Sequence, residues 1–122
     1  MIDKRIASVQ DAVKDVKDGA TILISGFGGA GSPIELIHAL LDQGARNLTI
    51  VSNNAGNGQF GLAALLQARR VEKMVCSFPK SADSTIFDEV YRSGETKLEL
   101  VPQGTLAERI RAGGAGIPAF FT

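Results

Sequence analysis

The chain has 122 residues, of which 44% are hydrophobic and 21% are charged, so it is long enough for one globular domain with its own core. Thirteen Lys and Arg residues balance thirteen Asp and Glu residues, which argues against a nucleic-acid partner or an anionic membrane surface. A single cysteine excludes a disulfide within the chain, and no apolar run approaches the length of a membrane span. We therefore expect a soluble domain of the cytoplasm.

The first predicted element is an amphipathic helix near the N-terminus. Ser8 and Asp11 have the spacing of a capping box at its start. The apolar side chains expected on its inner face are Ile6, Val9, Val13 and Val16. After the turn at Asp18-Gly19, residues 21–25 (TILIS) predict a short strand of the kind that is buried on both faces.

A second helix is predicted after the glycine-rich residues 26–31. Ser32 is suited to cap it, Pro33 suits its first position, and Gly44 suits its end. The side chains expected to point inward are Leu36, Ile37, Leu40 and Leu41.

The same unit of strand, loop and helix then repeats along the chain. Strands are predicted at residues 48–51, 71–77 and 98–101, and the helices that follow them run through residues 62–66, from 84 to 93, and onward from 105. Residues 52–58 and 102–104 are predicted as loops, and Thr105 with Glu108 as the cap of the last helix.

Strands that alternate with helices predict an α/β fold with an open, mainly parallel sheet and helices on both faces. Ligands of such sheets bind beyond the carboxyl ends of the strands. The segments expected there are residues 26–32, 53–59 and 102–104, and all three are rich in glycine, asparagine or glutamine. The sequence thus predicts a ligand site lined by small and amide-bearing residues.

The glycine-rich segment, GFGGAG at residues 26–31, matches the dinucleotide fingerprint G-x-G-x-x-G between a strand and a helix. A dinucleotide site also needs an acidic residue at the end of the second strand, and residues 49–54 contain none. A site for a phosphate or a developing oxyanion needs only free backbone N–H groups and close approach. The simpler explanation is a tight turn, for which one or two glycines suffice.

Residues 18–33, DGATILISGFGGAGSP, resemble the signature of the family I (3-oxoacid) CoA-transferases, with Ser25 in place of the usual first glycine. Residues 52–58, 61–66 and 76–79 resemble the 3-oxoadipate branch of that family, and residues 102–116 resemble the family more widely. The resemblance runs from Asp18 to the end of the chain. It implies the CoA-transferase fold and the N-terminal portion of an A-type subunit.

The activity implied by this resemblance is transfer of CoA from succinyl-CoA to a 3-oxo acid, with 3-oxoadipate favoured. The A-type subunit of an acetate or acetoacetate CoA-transferase is one alternative, and a nucleotide- or dinucleotide-binding α/β domain without transferase activity is another. In the family a glutamate of the B-type subunit forms a thioester with CoA. No catalytic residue is therefore expected in this chain; CoA is a cosubstrate, no cofactor is bound permanently, and the partner is the B-type subunit in a heterodimer or heterotetramer.

The resemblance also implies roles for individual residues. The segment expected to approach CoA comprises Ser25, Gly26, Phe27, Gly28, Gly29, Ala30 and Gly31. The substrate contacts expected in the active site are Asn53, Asn54, Gln103 and Gly104. The alternatives are ordinary turn chemistry for the two asparagines and a backbone-bonded loop residue for Gln103.

The remaining reactive side chains have simpler explanations. His38 has no cysteine or acid at ligand spacing, so no metal site is expected, and Cys76 in an apolar strand is predicted to be a core residue. Residues 1–122 are expected to form the N-terminal part of one domain, because the chain stops on an apolar run at Phe120-Phe121 and the family's A-type subunit continues.

Overall fold

The computed structural model describes all residues from Met1 to Thr122. The elements, in chain order, are α1 (Val9–Val13), β1 (Thr21–Leu23), α2 (Ile34–Gln43), β2 (Leu48–Asn54), α3 (Leu62–Gln67), β3 (Val71–Phe78), α4 (Thr85–Arg92), β4 (Lys97–Leu100) and α5 (Gln103–Ala115). The alternation of strand and helix predicted from the sequence is confirmed. No helix combines the length and the apolar character needed to cross a membrane.

The four strands form one parallel sheet in the order β1-β2-β3-β4. Each crossover therefore steps to the next strand in the same direction. Right-handed crossovers of this kind put their helices on a single face of the sheet. The predicted open, parallel sheet is confirmed, and its strand order explains where the core lies.

The main core lies between that face and helices α1 to α4. It comprises 17 buried residues. The strands contribute Leu48, Ile50, Met74 and Cys76, none of which has any exposed surface. Truncating Leu48 to alanine would leave a cavity and cost about 2–5 kcal/mol.

The second face of the sheet is covered by α5 alone. Leu106 of α5 packs on Val75 and Val101 above β3 and β4. The predicted arrangement with helices on both faces is therefore confirmed. Helix α5 thus lies on the face opposite the other helices, and its first residues follow the carboxyl end of β4, where α/β sheets bind ligands.

Strand β1 differs from its prediction as a five-residue strand buried on both faces. It has only three residues and forms an edge of the sheet. Ile24 just beyond it is buried, but Leu23 is 56% exposed on the opposite face. The prediction was wrong because α5 packs over β3 and β4 and does not reach far enough to cover β1.

The loops after β2 and β4 differ from their predicted bounds, because β2 ends later and α5 begins earlier than predicted. β2 continues to Asn54 because β3 runs alongside it as far as Phe78, so both asparagines end a strand instead of lying in a loop. Residues 103 and 104 form the first turn of α5, with Pro102 at the N-cap position. Thr105 therefore does not cap the helix, and Glu108 lies inside it, bonded to Arg111 at 2.6 Å.

The first two helices also differ from their predicted patterns. Ser8 caps α1 by accepting from the Asp11 N–H at 3.1 Å, as predicted. Only Val13 of the predicted stripe is buried, while Ile6 and Val9 are exposed. In α2 the N-cap is Pro33 instead of Ser32, and it makes no side-chain hydrogen bond. Leu36, which was predicted to point inward, is 39% exposed. The helix ends at Gly44 as predicted, and this glycine has φ 97°, in the left-handed region.

Candidate functional site

The glycine loop and the carboxyl ends of β2 and β3 meet the first turn of α5 at one rim of the sheet. A cleft of about 410 Å³ opens there, and its lining residues are Phe27, Gly28, Asn53, Asn54, Asn57, Ser77, Phe78, Ser81 and Gln103. A second cleft of about 380 Å³ adjoins it and runs between β1, β2 and α5. The residues that line both are Asn53, Ser77 and Gln103. The three segments predicted to converge on one ligand site lie together.

The glycine loop is a small hairpin. The N–H groups of Phe27 and Ala30 donate to each other's carbonyl oxygens at 2.9 and 3.1 Å, and Gly28 and Gly29 form the turn between them. Gly28 has φ 60°, a conformation that suits glycine. The N–H groups of Gly28 and Gly29 donate to no other backbone group, so they are free to bind a ligand. The side chain of Phe27 is 72% exposed beside the cleft.

Ser25, which stands in place of the glycine usual in the CoA-transferase signature, closes the base of this hairpin. The Ser25 hydroxyl donates to the carbonyl oxygen of Gly31 at 2.9 Å across the two ends of the loop. A side chain at Gly26, which has φ 133°, would come within 3.3 Å of Ser32. The serine thus adds a bond that glycine could not make, while the next position retains the glycine that the geometry requires.

The hairpin does not have the geometry of a dinucleotide-binding turn. In that fingerprint the third glycine permits close packing of the helix on the strand, and the pyrophosphate lies on the helix N-terminus. Here α2 begins at Ile34, three residues after Gly31, so the third glycine lies outside the helix and cannot serve that packing. Together with the missing acid in residues 49–54, this disfavours the dinucleotide alternative.

The two asparagines that end β2 have different surroundings. The Asn54 amide nitrogen donates to the Gly28 carbonyl at 3.3 Å, and its oxygen accepts from the Gly56 N–H at 2.9 Å. It therefore ties the glycine hairpin to the turn after β2. The Asn53 amide nitrogen donates to the Ser77 hydroxyl at 3.2 Å and leaves its oxygen without a partner in the chain.

Gln103, the first residue of α5, is exposed and lines both clefts. Its side chain makes no hydrogen bond within the chain, in contrast to the simpler explanation of a glutamine bonded to backbone. Gly104 lies beside it in the helix and is not among the lining residues of either cleft. Gly29 lines a separate, smaller cavity, and Ala30 and Gly31 line none of these cavities.

Three residues of the 410 Å³ cleft lie outside the segments predicted for the site, Ser77, Phe78 and Ser81, and Asn57 lies inside the predicted segment 53–59 but has no individual role assigned from the sequence. The Ser81 hydroxyl contacts the Asn57 side-chain oxygen and lies 2.9 Å from the Ser84 hydroxyl, which joins the loops after β2 and β3. Position at the carboxyl end of the third strand could have indicated Ser77 and Phe78. The loop after β3 was overlooked because it lacks the glycine and amide residues that marked the other loops.

No charged side chain lines the 410 Å³ cleft. Glu99 lies on the sheet face beneath α5, 2.6 Å from Lys73 and 2.7 Å from Arg109, and its hydrogen bonds to these two cations lower its pKa. Cys76 is fully buried in the core, as predicted, and this burial raises the pKa of its thiol to about 11. A reactive carboxylate or thiolate would have to reach the cleft from elsewhere.

His38 has a structural role on α2. Its ring nitrogen Nε2 accepts from the Gly61 N–H at 2.9 Å, at the N-terminal end of α3. No three His, Cys, Asp or Glu side chains lie close enough together to hold a metal ion. Gly61 has φ 58°, and a side chain there would approach Ile34 at 2.7 Å, so this junction is closely packed.

Comparison with known proteins identifies the family of the chain. The family model described as Coenzyme A transferase matches residues 6–122. The chain belongs to the coenzyme A transferase family. The A-type subunit of the 3-oxoadipate CoA-transferase from Pseudomonas putida is 60% identical over all of this chain, which covers 53% of that relative. The chain spans about half the length of the curated bacterial relatives it matches.

Two further proteins are similar to this chain. The A-type subunit of a probable succinyl-CoA:3-ketoacid coenzyme A transferase from Bacillus subtilis is 49% identical over 98% of this chain and 49% of that relative. A crystal structure of a variant of the decarboxylase AibA/AibB superposes with a TM-score of 0.76 over 93% of this chain and 45% of that one. At 22% identity the second likeness concerns the fold alone.

Proposed function

We propose that this chain is the N-terminal part of the A-type subunit of a CoA-transferase that moves CoA from succinyl-CoA to a 3-oxo acid. The observation that carries the proposal is the cleft without charges at the carboxyl ends of the strands, where Asn53 and Gln103 present amide groups beside a glycine hairpin. 3-Oxoadipate is the favoured acceptor, since the relative that acts on it is 60% identical, against 49% for the 3-ketoacid relative.

The nucleophile is supplied by the partner in this proposal. Neither aspartate nor glutamate lines either cleft that contains Asn53 and Gln103. Amide side chains can donate hydrogen bonds but do not act as nucleophiles or titrate near neutral pH. A glutamate of the B-type subunit would approach the rim from outside, and the two types of subunit would form a heterodimer or heterotetramer.

The reaction then follows four exchanges at a carbonyl carbon. The glutamate attacks succinyl-CoA, the C–S bond breaks, and a mixed anhydride and a CoA thiolate form. The thiolate attacks the glutamyl carbonyl, which releases succinate and leaves a glutamyl-CoA thioester. The 3-oxo acid carboxylate attacks that thioester and expels the thiolate, which finally attacks the new anhydride to release 3-oxoacyl-CoA and regenerate the glutamate.

In this proposal, residues of this chain stabilise the oxyanions that form in these steps by donating hydrogen bonds to them. Each attack produces a tetrahedral intermediate with a negative oxygen, and a fixed donor to that oxygen is worth about 3 kcal/mol. Gln103 has a free amide, and Gly28 and Gly29 have free N–H groups. We assign residues 25–31 to the approach of CoA, which is a cosubstrate, and Asn53 and Gln103 to the acyl group.

The enzyme would work in the cytoplasm, where the unpaired, buried Cys76 thiol persists in reduced form.

The second candidate is a CoA-transferase for acetoacetate or a related short 3-oxo acid, favoured by the 49% identical relative from Bacillus subtilis. The two candidates share the rim and its chemistry, and they differ only in the acceptor acid.

A substrate panel tests the proposal. The full-length A-type protein is purified together with its B-type partner, and transfer from succinyl-CoA is measured with 3-oxoadipate, acetoacetate and acetate as acceptors. We expect the highest kcat/KM with 3-oxoadipate; a preference for acetoacetate would select the second candidate. Absence of transfer to every acid, with tight binding of NAD(P)H in a fluorescence titration, would overturn the proposal.

A further inference from the structure

Ser77 is the one hydroxyl shared by the two clefts of the rim. It lies near the carboxyl end of β3, beside Asn53 on the neighbouring strand β2. Its hydroxyl accepts from the Asn53 amide nitrogen at 3.2 Å and donates to the Asn53 carbonyl oxygen at 3.4 Å. A serine hydroxyl has one hydrogen to donate and lone pairs to accept with, so both contacts can form at the same time.

This pair of contacts determines which way the Asn53 amide points. The terminal torsion of asparagine is broad and nearly two-fold, so its nitrogen and oxygen can exchange places at small cost. The Ser77 hydroxyl donates its hydrogen to the backbone and therefore can only accept from the side chain, which selects the nitrogen. The Asn53 oxygen and the second amide hydrogen are then left for a ligand.

The surroundings of Ser77 and Asn53 indicate that the hydroxyl orients the amide and contributes little to the stability of the fold. Both side chains are only partly buried and face the cleft instead of the main core, to which the neighbouring Cys76 belongs. Asn54, next in the chain, is held by backbone groups on both sides and does not need Ser77. Nothing else in the chain bonds to the Asn53 amide, so the serine alone fixes its rotation.

We propose that Ser77 is a positioning residue, which holds the Asn53 amide in the orientation that binds the acyl group. The proposal rests on the proposed function for its kinetic consequence. Its structural consequence, a fixed Asn53 amide, can be examined whatever reaction the enzyme catalyses.

The kinetic test is a double-mutant cycle in the full-length complex of the two subunit types. Ser77→Ala is expected to lower kcat/KM about tenfold, the loss of one well-placed hydrogen bond, while Ser77→Thr keeps the hydroxyl and retains most of the activity. In an Asn53→Ala background, Ser77→Ala should change kcat/KM by less than about twofold, because its effect passes through Asn53. Ser93→Ala, which removes a hydroxyl bonded to Val90 away from the rim, is the matched control.

Two results would overturn the proposal: unchanged kinetics in Ser77→Ala, or full additivity with Asn53→Ala. Crystal structures of the wild-type and Ser77→Ala complexes supply the second arm, in which the Asn53 amide should rotate or become disordered in the variant. If the wild type transfers no CoA, the proposed function fails, and the crystallographic arm still decides the role of Ser77. An Asn53 side chain that stays in place without the hydroxyl would contradict it.

Discussion

Of the four amide side chains that line the rim, three differ in their hydrogen bonds in a way that separates their roles: Asn53, Asn54 and Gln103. Both ends of the Asn54 amide bond to backbone groups, so this residue holds the glycine hairpin against the turn after β2. Asn53 is held on one side by Ser77. The Gln103 side chain makes no hydrogen bond within the chain and is exposed on the first turn of α5. Of the three amides, Gln103 is therefore the most available to donate to a developing oxyanion.

Replacing Gln103 with alanine tests that availability. We expect kcat of the full complex to fall about 100-fold, because one oxyanion donor is lost, with the melting temperature unchanged because no internal bond is broken. Gln67→Ala, at an exposed position on α3, is the matched control and should leave both quantities unchanged. Steady-state rates equal to wild type in Gln103→Ala would remove this residue from the site.

Cys76 gives a residue-scale test of the core. It has no exposed surface, and burial raises the pKa of its thiol to about 11, so hardly any thiolate exists at about pH 8. We expect iodoacetamide to leave Cys76 unmodified in the native protein and to alkylate it after denaturation, as followed by peptide mass spectrometry. Rapid alkylation of the native protein would show that β3 is less buried than described.

At the scale of elements, α5 is attached to the sheet through few groups. Leu106 packs on Val75 and Val101, and Arg109 bonds to Glu99, which also contacts Lys73. Ile110 of the same helix is 48% exposed and adds little to this attachment. Because α5 carries Gln103 at its first position, the attachment of this helix also determines where the proposed donor amide lies.

The ion pairs of Glu99 predict a pH-dependent contribution to stability. The pKa of Glu99 is lowered below its usual 4.5 by Lys73 and Arg109, so the charged form stabilises the fold above that pH, and the contribution is lost as pH falls through the lowered pKa. In urea unfolding at about pH 7, Glu99→Gln should destabilise by about 1 kcal/mol or less, since all three side chains are partly exposed.

The control for this experiment is Glu72→Gln, whose carboxylate has one longer contact of 3.4 Å with Lys97. Its effect near neutral pH should be smaller than that of Glu99→Gln. The Glu99→Gln difference should shrink in high salt and vanish well below pH 4.5. A difference that persists undiminished into acid would mean that the side chain acts through packing and not through its charge.

At the scale of the whole molecule, most of the architecture was predictable because it depends on periodicity. Apolar strands that alternate with amphipathic helices allow few topologies once crossovers are right-handed, and the loops at the carboxyl ends then meet at one rim. The amide residues Asn53, Asn54 and Gln103 could be assigned to that rim for the same reason. The exposure of Leu23 on β1 could not be predicted, because the sequence does not specify how far α5 reaches across the second face.

The finer features of the site depend on contacts between distant residues. Nothing in the local sequence distinguishes Asn53 from Asn54, whose partners Ser77 and Gly28 lie on other segments. Local preference predicts a loop at the first turn of α5, because proline and glycine favour turns, whereas Leu106 at the end of that turn packs on Val75 of β3. Tertiary contacts thus overrode local preference at the residues closest to the proposed chemistry.

The central claim is that this chain supplies the amide-lined cleft while a carboxylate of another polypeptide attacks the thioester. Intact-mass spectrometry tests it directly after the complex of the two polypeptides is incubated with succinyl-CoA and no acceptor acid. We predict that CoA becomes attached to the B-type partner through a thioester and that the A-type polypeptide keeps its unmodified mass. CoA attached to the A-type polypeptide would contradict the account.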